Sequence, residues 1–218
     1  MTKRVLIACE YSGTVRDEFL KLGFDAHSCD ILPCESKYCL DLSRHHQGDV
    51  MEILNQNWDL MIAHPPCTHL SVSGARWFTE GKKPMHLRDD AIAFVQKLMD
   101  ADIKHIAIEN PVSVISSYIR KSDQMINPYQ FGHKEYKRTC LWLKDLPKLI
   151  ETDNVKAETD QLHPKEKNRI WWLGSGKGKE RSLFYQGIAK AMAKQWGDYI
   201  TQNKVEDREV ERRENNAI

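Results

Sequence analysis

The sequence predicts an α/β protein built on a doubly wound, mostly parallel sheet, and three observations carry that expectation. Short, largely apolar runs recur at residues 4–8 (RVLIA), 59–63 (DLMIA) and 104–108 (KHIAI), the pattern of strands buried on both faces. Between them the apolar period lengthens to that of a helix, most plainly at residues 87–99. Each run ends in a polar turn, several with glycine or proline. Strands alternating with helices imply crossovers on both faces, and ligands of such sheets sit at the carboxyl ends of the strands.

The elements follow in order. Residues 4–8 form a first strand, followed by the turn EYSGT and a helix in VRDEFLKLGF, with Val15, Phe19 and Leu22 on one face and Gly23 as its stop. Residues 25–29 read as a second strand ending at Asp30. Residues 59–63 are a third, broken by the prolines of HPPC. The helix at 87–99 turns Ala91, Phe94, Val95 and Leu98 inward, and the strand at 104–108 is stopped by Glu109-Asn110-Pro111. Residues 138–143 (RTCLWL) give a later strand and 186–199 a last helix. Residues 151–180 are polar, lack a clear period and end in GSGKGK, so a mobile loop is expected there. Residues 203–218 are almost wholly charged or polar, which suits a solvated helix extension or disorder. No internal repeat is visible. One catalytic domain is expected over 1–202, with the tail beyond it.

The 218 residues suffice for one domain with a core of its own. With 41% hydrophobic and 29% charged residues and a net charge of +1, the composition is that of an ordinary globular protein, and any anionic partner must meet a local basic patch. No apolar run is long enough to span a bilayer and the N-terminus lacks the apolar stretch of a signal peptide, so a soluble, cytoplasmic protein is expected. In that compartment the six cysteines are expected to be free thiols. Cys29, Cys34 and Cys39 are spaced unlike the usual zinc sites, so no metal is expected.

Chemistry is sought in the four loops after the strands. HPPC places Cys67 at the end of a buried strand, on a loop that two prolines stiffen. Near a helix N-terminus or a cation such a thiol would have a lowered pKa and act as a nucleophile. A lone cysteine is more often a packed loop residue, and a lone Glu109 a cap or surface group; what counts is that both fall at strand ends on one edge. Asp30 sits where a carboxylate commonly accepts ribose hydroxyls. EYSGT, with one glycine, is weaker than a dinucleotide fingerprint, though Gly13 still lets backbone approach a ligand. After Cys67, Arg76, Lys82, Lys83 and Arg88 interleave with Trp77 and Phe78, a pattern that suits phosphates and bases but equally an ordinary solvated loop. His133, Lys134, Lys137 and Arg138 could line another wall, and Lys177, Lys179 and Arg181 lie among glycines.

In order along the chain, these segments resemble the motifs of the cytosine carbon-5 DNA methyltransferases, over residues 4–150 and again 181–200. ACEYSG is similar to the cofactor loop, Asp30 to the ribose-binding acid and GDV, with Asp49, to the motif near the adenine. DLMIAHPPCTHLSVSG resembles the nucleophile motif, IENP the Glu-Asn motif, YKRTCLW the basic strand and YQGIAKAMAKQW the closing helix. The resemblance implies a Rossmann-like fold of the S-adenosylmethionine-dependent type, S-adenosylmethionine as cofactor and nucleic acid, DNA first, as partner. It implies Cys67, Glu109 and Arg138 as catalytic residues. Cofactor contacts are implied at Cys9, Glu10, Ser12 and Gly13, then at Asp30, Ile31, Asp49 and Pro65. Nucleic-acid contacts are expected at Ser71, Ser73, Arg76 and Trp77, then at Lys82, Lys83 and Lys137.

In that chemistry the Cys67 thiolate adds to carbon 6 of cytosine, Glu109 engages ring N3, Arg138 holds the carbonyl oxygen at position 2, and the methyl passes to carbon 5. A base in a duplex would have to be flipped out to be reached. The chain departs from the family in having Glu10 and Tyr11 where small residues are usual. Its basic motif is shorter, and Gly187 opens the last helix where an Asn is usual. Only residues 151–180 stand in for the sizeable recognition region, as in a short form, so selectivity is either low or supplied by a partner chain. Three alternatives stay open: the same chemistry on RNA, single-stranded DNA or a cytosine nucleotide; a catalytically idle binder of DNA or cofactor; and an unrelated nucleotide-binding domain of the same sheet type.

Overall fold

A computed structural model describes residues 2–36, 41–173 and 177–215, with the backbone alone at 73, 75 and 203–215. Seven strands, β1 (Arg4–Ala8), β2 (Asp25–Asp30), β3 (His45–Gln47), β4 (Leu60–Ala63), β5 (His105–Pro111), β6 (Gln124–Ile126) and β7 (Thr139–Lys144), form one sheet in the order β3-β2-β1-β4-β5-β7-β6. β3, β2, β1, β4 and β5 are parallel to their neighbours, and β7 runs antiparallel between β5 and β6. This is the mostly parallel, doubly wound α/β sheet of Rossmann-like type that the apolar runs predicted.

The helices are α1 (Thr14–Lys21), α2 (Ala75–Thr79), α3 (His86–Met99), α4 (Ile115–Tyr118), α5 (Lys156–Gln161), α6 (Pro164–Lys167), α7 (Arg169–Trp172), α8 (Gly178–Ser182) and α9 (Gln186–Asn215). Strand residues alternate between two apolar layers, as a pleated sheet requires. Val5, Ile7, Leu60, Ile62, Ala107 and Leu141 face a layer closed by α1 and α9. Leu6, Ala8, Met61, Ala63, Ile106 and Ile108 face one closed by α3 and the turn at Val50–Glu52. The winding reverses between β1 and β4, so the crevice of the fold opens where the loops after those strands part.

Several expectations are corrected. The strand at 104–108 does not stop at Glu109: β5 runs on through Pro111, because antiparallel β7 pairs Glu109 with Leu141, Asn110 with Cys140 and Pro111 with Thr139. Leu22 is 49% exposed rather than inward, since α1 ends at Lys21 and Leu22 caps it. Residues 151–180 are not a bare loop. Among the described residues four short helices, α5 to α8, lie within 156–172 and 178–182, with residues 174–176 outside the description; the Tyr136 amide donates to the Lys167 carbonyl (2.7 Å) and the Val155 amide to the Tyr129 carbonyl (2.8 Å). The three-residue edge strands β3 and β6 carry no apolar run and were not foreseen.

α9 lies closely against the loop before β7. A Cβ on Gly187 would fall 1.9 Å from the Phe131 carbonyl oxygen, and the Gly187 amide donates to Nε2 of His133 at 2.8 Å. This explains the glycine where the resembled family has Asn. Gly187→Ala should therefore force helix and loop apart and destabilise the protein by about 1–3 kcal/mol or more. A lower urea midpoint at unchanged slope checks it; a wild-type midpoint would contradict the close contact.

Candidate active site

The loops after β4 and β5 meet. Pro65 is buried, and its carbonyl accepts from Nδ2 of Asn110 at 2.8 Å, which ties the Pro-Pro-Cys loop to the end of β5. Cys67 then opens a short 3-10 turn, where its carbonyl accepts from the amides of Leu70 (3.1 Å) and Ser71 (2.9 Å). The stiff loop thus presents the Cys67 side chain at the surface. Glu109 is buried at the neighbouring strand end, and its Oε2 lies 3.1 Å from Nδ1 of His64.

Exposed though the residue is, partial loss of solvent around the thiol, and next the Glu109 carboxyl, push it above its ordinary range, while Lys137 and Arg181 pull against them. The expectation of a lowered pKa is corrected: the cations are present, but burial and a nearby carboxylate outweigh them.

On the other side of the crevice, Cys9 ends β1 in a left-handed conformation (φ 59°), and Gly13 (φ 67°) precedes α1. Asp30 and Asp49 lie near enough to Cys9 and Cys29 for their charges to raise both buried thiols, after burial itself. The loops after β1, β2 and β3 therefore converge. Asp30 accepts from the Leu32 amide through Oδ1 (2.9 Å), and Asp49 from the Met51 amide (3.0 Å). Ile31 beside them is 75% exposed. Ser12 donates to Oγ1 of Thr14 at 3.0 Å. Glu10 turns inward: its carboxylate accepts from the amides of Val15 (2.7 Å) and Arg16 (3.2 Å), filling the positive end of α1. Its burial raises its pKa, with the His64 charge foremost among the opposing influences.

The segment 177–184 closes over both halves. The Tyr11 hydroxyl lies 2.9 Å from Oγ of Ser182 and donates to the Lys179 carbonyl at 3.2 Å. Lys179 pairs with Glu35 at 2.5 Å, Lys137 donates to the Arg181 carbonyl at 3.1 Å, and the Phe184 ring sits 4.6 Å from that of His64. Tyr11, a departure from the resembled family, thus anchors this strap.

Among the basic residues, Lys137 and Arg181 act on Cys67, whereas exposed Arg138 acts on Cys140 instead. On the opposite lip, Arg76 and Lys82 lie over Trp77 at 4.5 and 4.8 Å, and Lys83 over Phe78 at 5.7 Å. Arg88 is buried between Phe78 and Tyr118, each 5.3 Å away, and so braces α2 against α4. Ser71 bridges to Ser113, and the side chain of Ser73 lies outside the described residues. Cys39 lies outside them too; among the described residues no cluster of His, Cys, Asp or Glu suits a metal ion, and no helix is long and apolar enough to cross a membrane. Reading the sequence singled out Cys67 and Glu109 but missed His64. The available signal was an imidazole three residues before the cysteine, at the end of the same strand.

No protein-family model matches the sequence, and no curated protein does. Among solved structures it is similar to the Entamoeba histolytica methyltransferase EhMeth, with a TM-score of 0.48 and 16% identity over 71% of this chain and 58% of that one. It is similar also to the S. pombe Dnmt2 methyltransferase, with a TM-score of 0.44 and 17% identity over 80% of this chain and 60% of that one. The chain spans about three-fifths of the length of either.

Proposed function

We propose that this protein transfers a methyl group from S-adenosylmethionine to carbon 5 of cytosine in nucleic acid, DNA first, with Cys67 as nucleophile. One observation carries the reading: a thiol on a stiff loop and a buried carboxyl group, Cys67 and Glu109, meet at adjacent strand ends, beside the crevice where the loops of β1 to β3 converge. The donor set on that side fits the cofactor. Asp30 spends one oxygen on Leu32 and keeps the other for ribose hydroxyls, while exposed Ile31 offers an apolar surface to a base. The amides at the head of α1 belong to Glu10, so the cofactor's own carboxylate would have to be held elsewhere.

When bound, the cofactor supplies an electrophilic methyl on its sulfonium. The protein's part is to make carbon 5 of cytosine able to accept it. The Cys67 thiolate adds to carbon 6, the ring electron pair shifts towards carbon 5, and Glu109 hydrogen-bonds N3 as charge develops. Lys137 and Arg181 are cations near the thiol and favour its ionised form, while Arg138 would hold the carbonyl oxygen at position 2. After methylation, a water molecule takes the carbon-5 proton, the C5–H electron pair re-forms the C5–C6 double bond, and the C6–S bond breaks to release the Cys67 thiolate. Tyr11 and Phe184, through the strap, help to exclude water from the crevice.

A single-stranded target is favoured by one feature: Trp171 and Trp172 are 74% and 57% exposed on α7, with Lys165 over Trp172 at 5.4 Å. Such rings stack on unpaired bases. Labelled cofactor incubated with duplex DNA, single-stranded DNA, RNA and cytidine nucleotides tests both readings. Label should enter a polymer, with binding that weakens steeply as salt rises. Label in the free nucleotide alone would remove the polymer from the reading, and label in none of them would defeat methyl transfer.

A further inference from the structure

We propose that His64 is a positioning residue for Glu109, fixing the carboxyl group through Nδ1 so that its second oxygen is free for the pyrimidine edge. This rests on the methyl-transfer reading and adds a part to it. Three contacts support it. Nδ1 lies 3.1 Å from Oε2 of Glu109. The Phe184 ring packs on the imidazole at 4.6 Å and restricts its rotation. Nε2 is sealed from solvent and has no hydrogen-bond partner. An unpaired buried nitrogen costs about 1–3 kcal/mol, so a residue chosen for packing alone would carry no such atom.

The groups facing His64 set the electrostatics. Glu109 approaches from β5, Glu10 from the loop after β1, and Phe184 from the segment before α9. The Cys67 thiol lies further along the same loop, with Lys137 and Arg181 beyond it. Two carboxyl groups therefore flank one imidazole. With its hydrogen on Nδ1, His64 donates to Oε2. Where cytosine binds with a proton shared between Oε1 of Glu109 and N3, addition of the sulfur to carbon 6 breaks the Oε1–H bond and completes the N3–H bond, moving negative charge from the ring to the carboxylate. The Nδ1–H bond stabilises that carboxylate. When the sulfur leaves, N3 returns the proton to Oε1, and atoms and charge balance over the cycle.

The test compares wild type, His64→Ala, His64→Asn and Glu109→Gln on a DNA oligonucleotide containing 5-fluorocytosine, with S-adenosylmethionine present. His64→Ala should slow covalent adduct formation at saturating DNA roughly 10- to 100-fold, with KM little changed. His64→Asn, whose side-chain amide can donate in place of Nδ1, should recover most of the rate. Nitrogen-15 spectra of the imidazole should show the hydrogen on Nδ1 and should shift in Glu109→Gln; this needs no activity and holds if His64→Ala folds poorly. An unshifted imidazole in Glu109→Gln, or a folded His64→Ala with wild-type rate and pH profile, would overturn the proposal. Absence of any adduct in wild type, with the imidazole still coupled to Glu109, would instead count against methyl transfer.

Discussion

Cys67→Ala is expected to lower methyl transfer by roughly 10⁴-fold or more and to abolish the covalent adduct with 5-fluorocytosine, while leaving cofactor binding in place. The size follows from the chemistry. Carbon 5 of an aromatic pyrimidine is a poor nucleophile, and addition of the Cys67 sulfur to carbon 6 is what breaks the aromaticity in this reading. Cofactor affinity should persist, because the side chain lies on the loop after β4 while the cofactor side is built from the loops after β1, β2 and β3. Burial and Glu109 raise the thiol pKa, so the protonated, unreactive form persists to higher pH. The adduct rate of wild type should consequently go on climbing above about pH 9, where an ordinary thiol with a pKa of about 8.5 would level off. Lys137→Ala removes a cation that favours the thiolate and should push the rise further alkaline. Transfer undiminished in Cys67→Ala, measured with labelled cofactor, would reject the sulfur as nucleophile.

Trp196→Ala should destabilise the protein by about 3–5 kcal/mol, a large share of the stability of an ordinary domain. Trp196 is fully buried, and its indole N–H donates to the Pro147 carbonyl at 2.9 Å. Truncation leaves a cavity where α9 meets the sheet and strips that carbonyl of its partner. Since about 1 kcal/mol lowers Tm by roughly 2–4 °C at this size, calorimetry should register a fall of roughly 6–20 °C. A shift below about 2 °C would mean that α9 adds little to the core.

Much of this was legible because local chemistry and global fold agree. β1 and β4 lie where their apolar runs put them, within a residue, since a strand buried on both faces is largely apolar. Cys67 and Glu109 were proposed because ligands of such sheets sit at the carboxyl ends of the strands, although Glu109 itself lies within β5. β3 and β6 were hidden because three polar or mixed residues at a sheet edge bury too little to leave a period. The helices of 156–182 were hidden too: each is about one turn long and is held by its neighbours rather than by an apolar stripe of its own.

The sequence by itself determined the α/β class and which loops follow the apolar strands, because these depend on residue type and on period along one strand or helix. Tertiary structure alone decided that Lys137 and Arg181 lie near the Cys67 thiol and that His64 stands against Glu109. It also decided that Glu10 caps α1 from within. The physical reason is common to all three: each is a contact through space between different elements or across a turn, where a shift of one residue reverses the direction of a side chain, and no local pattern records which partner the fold will bring opposite.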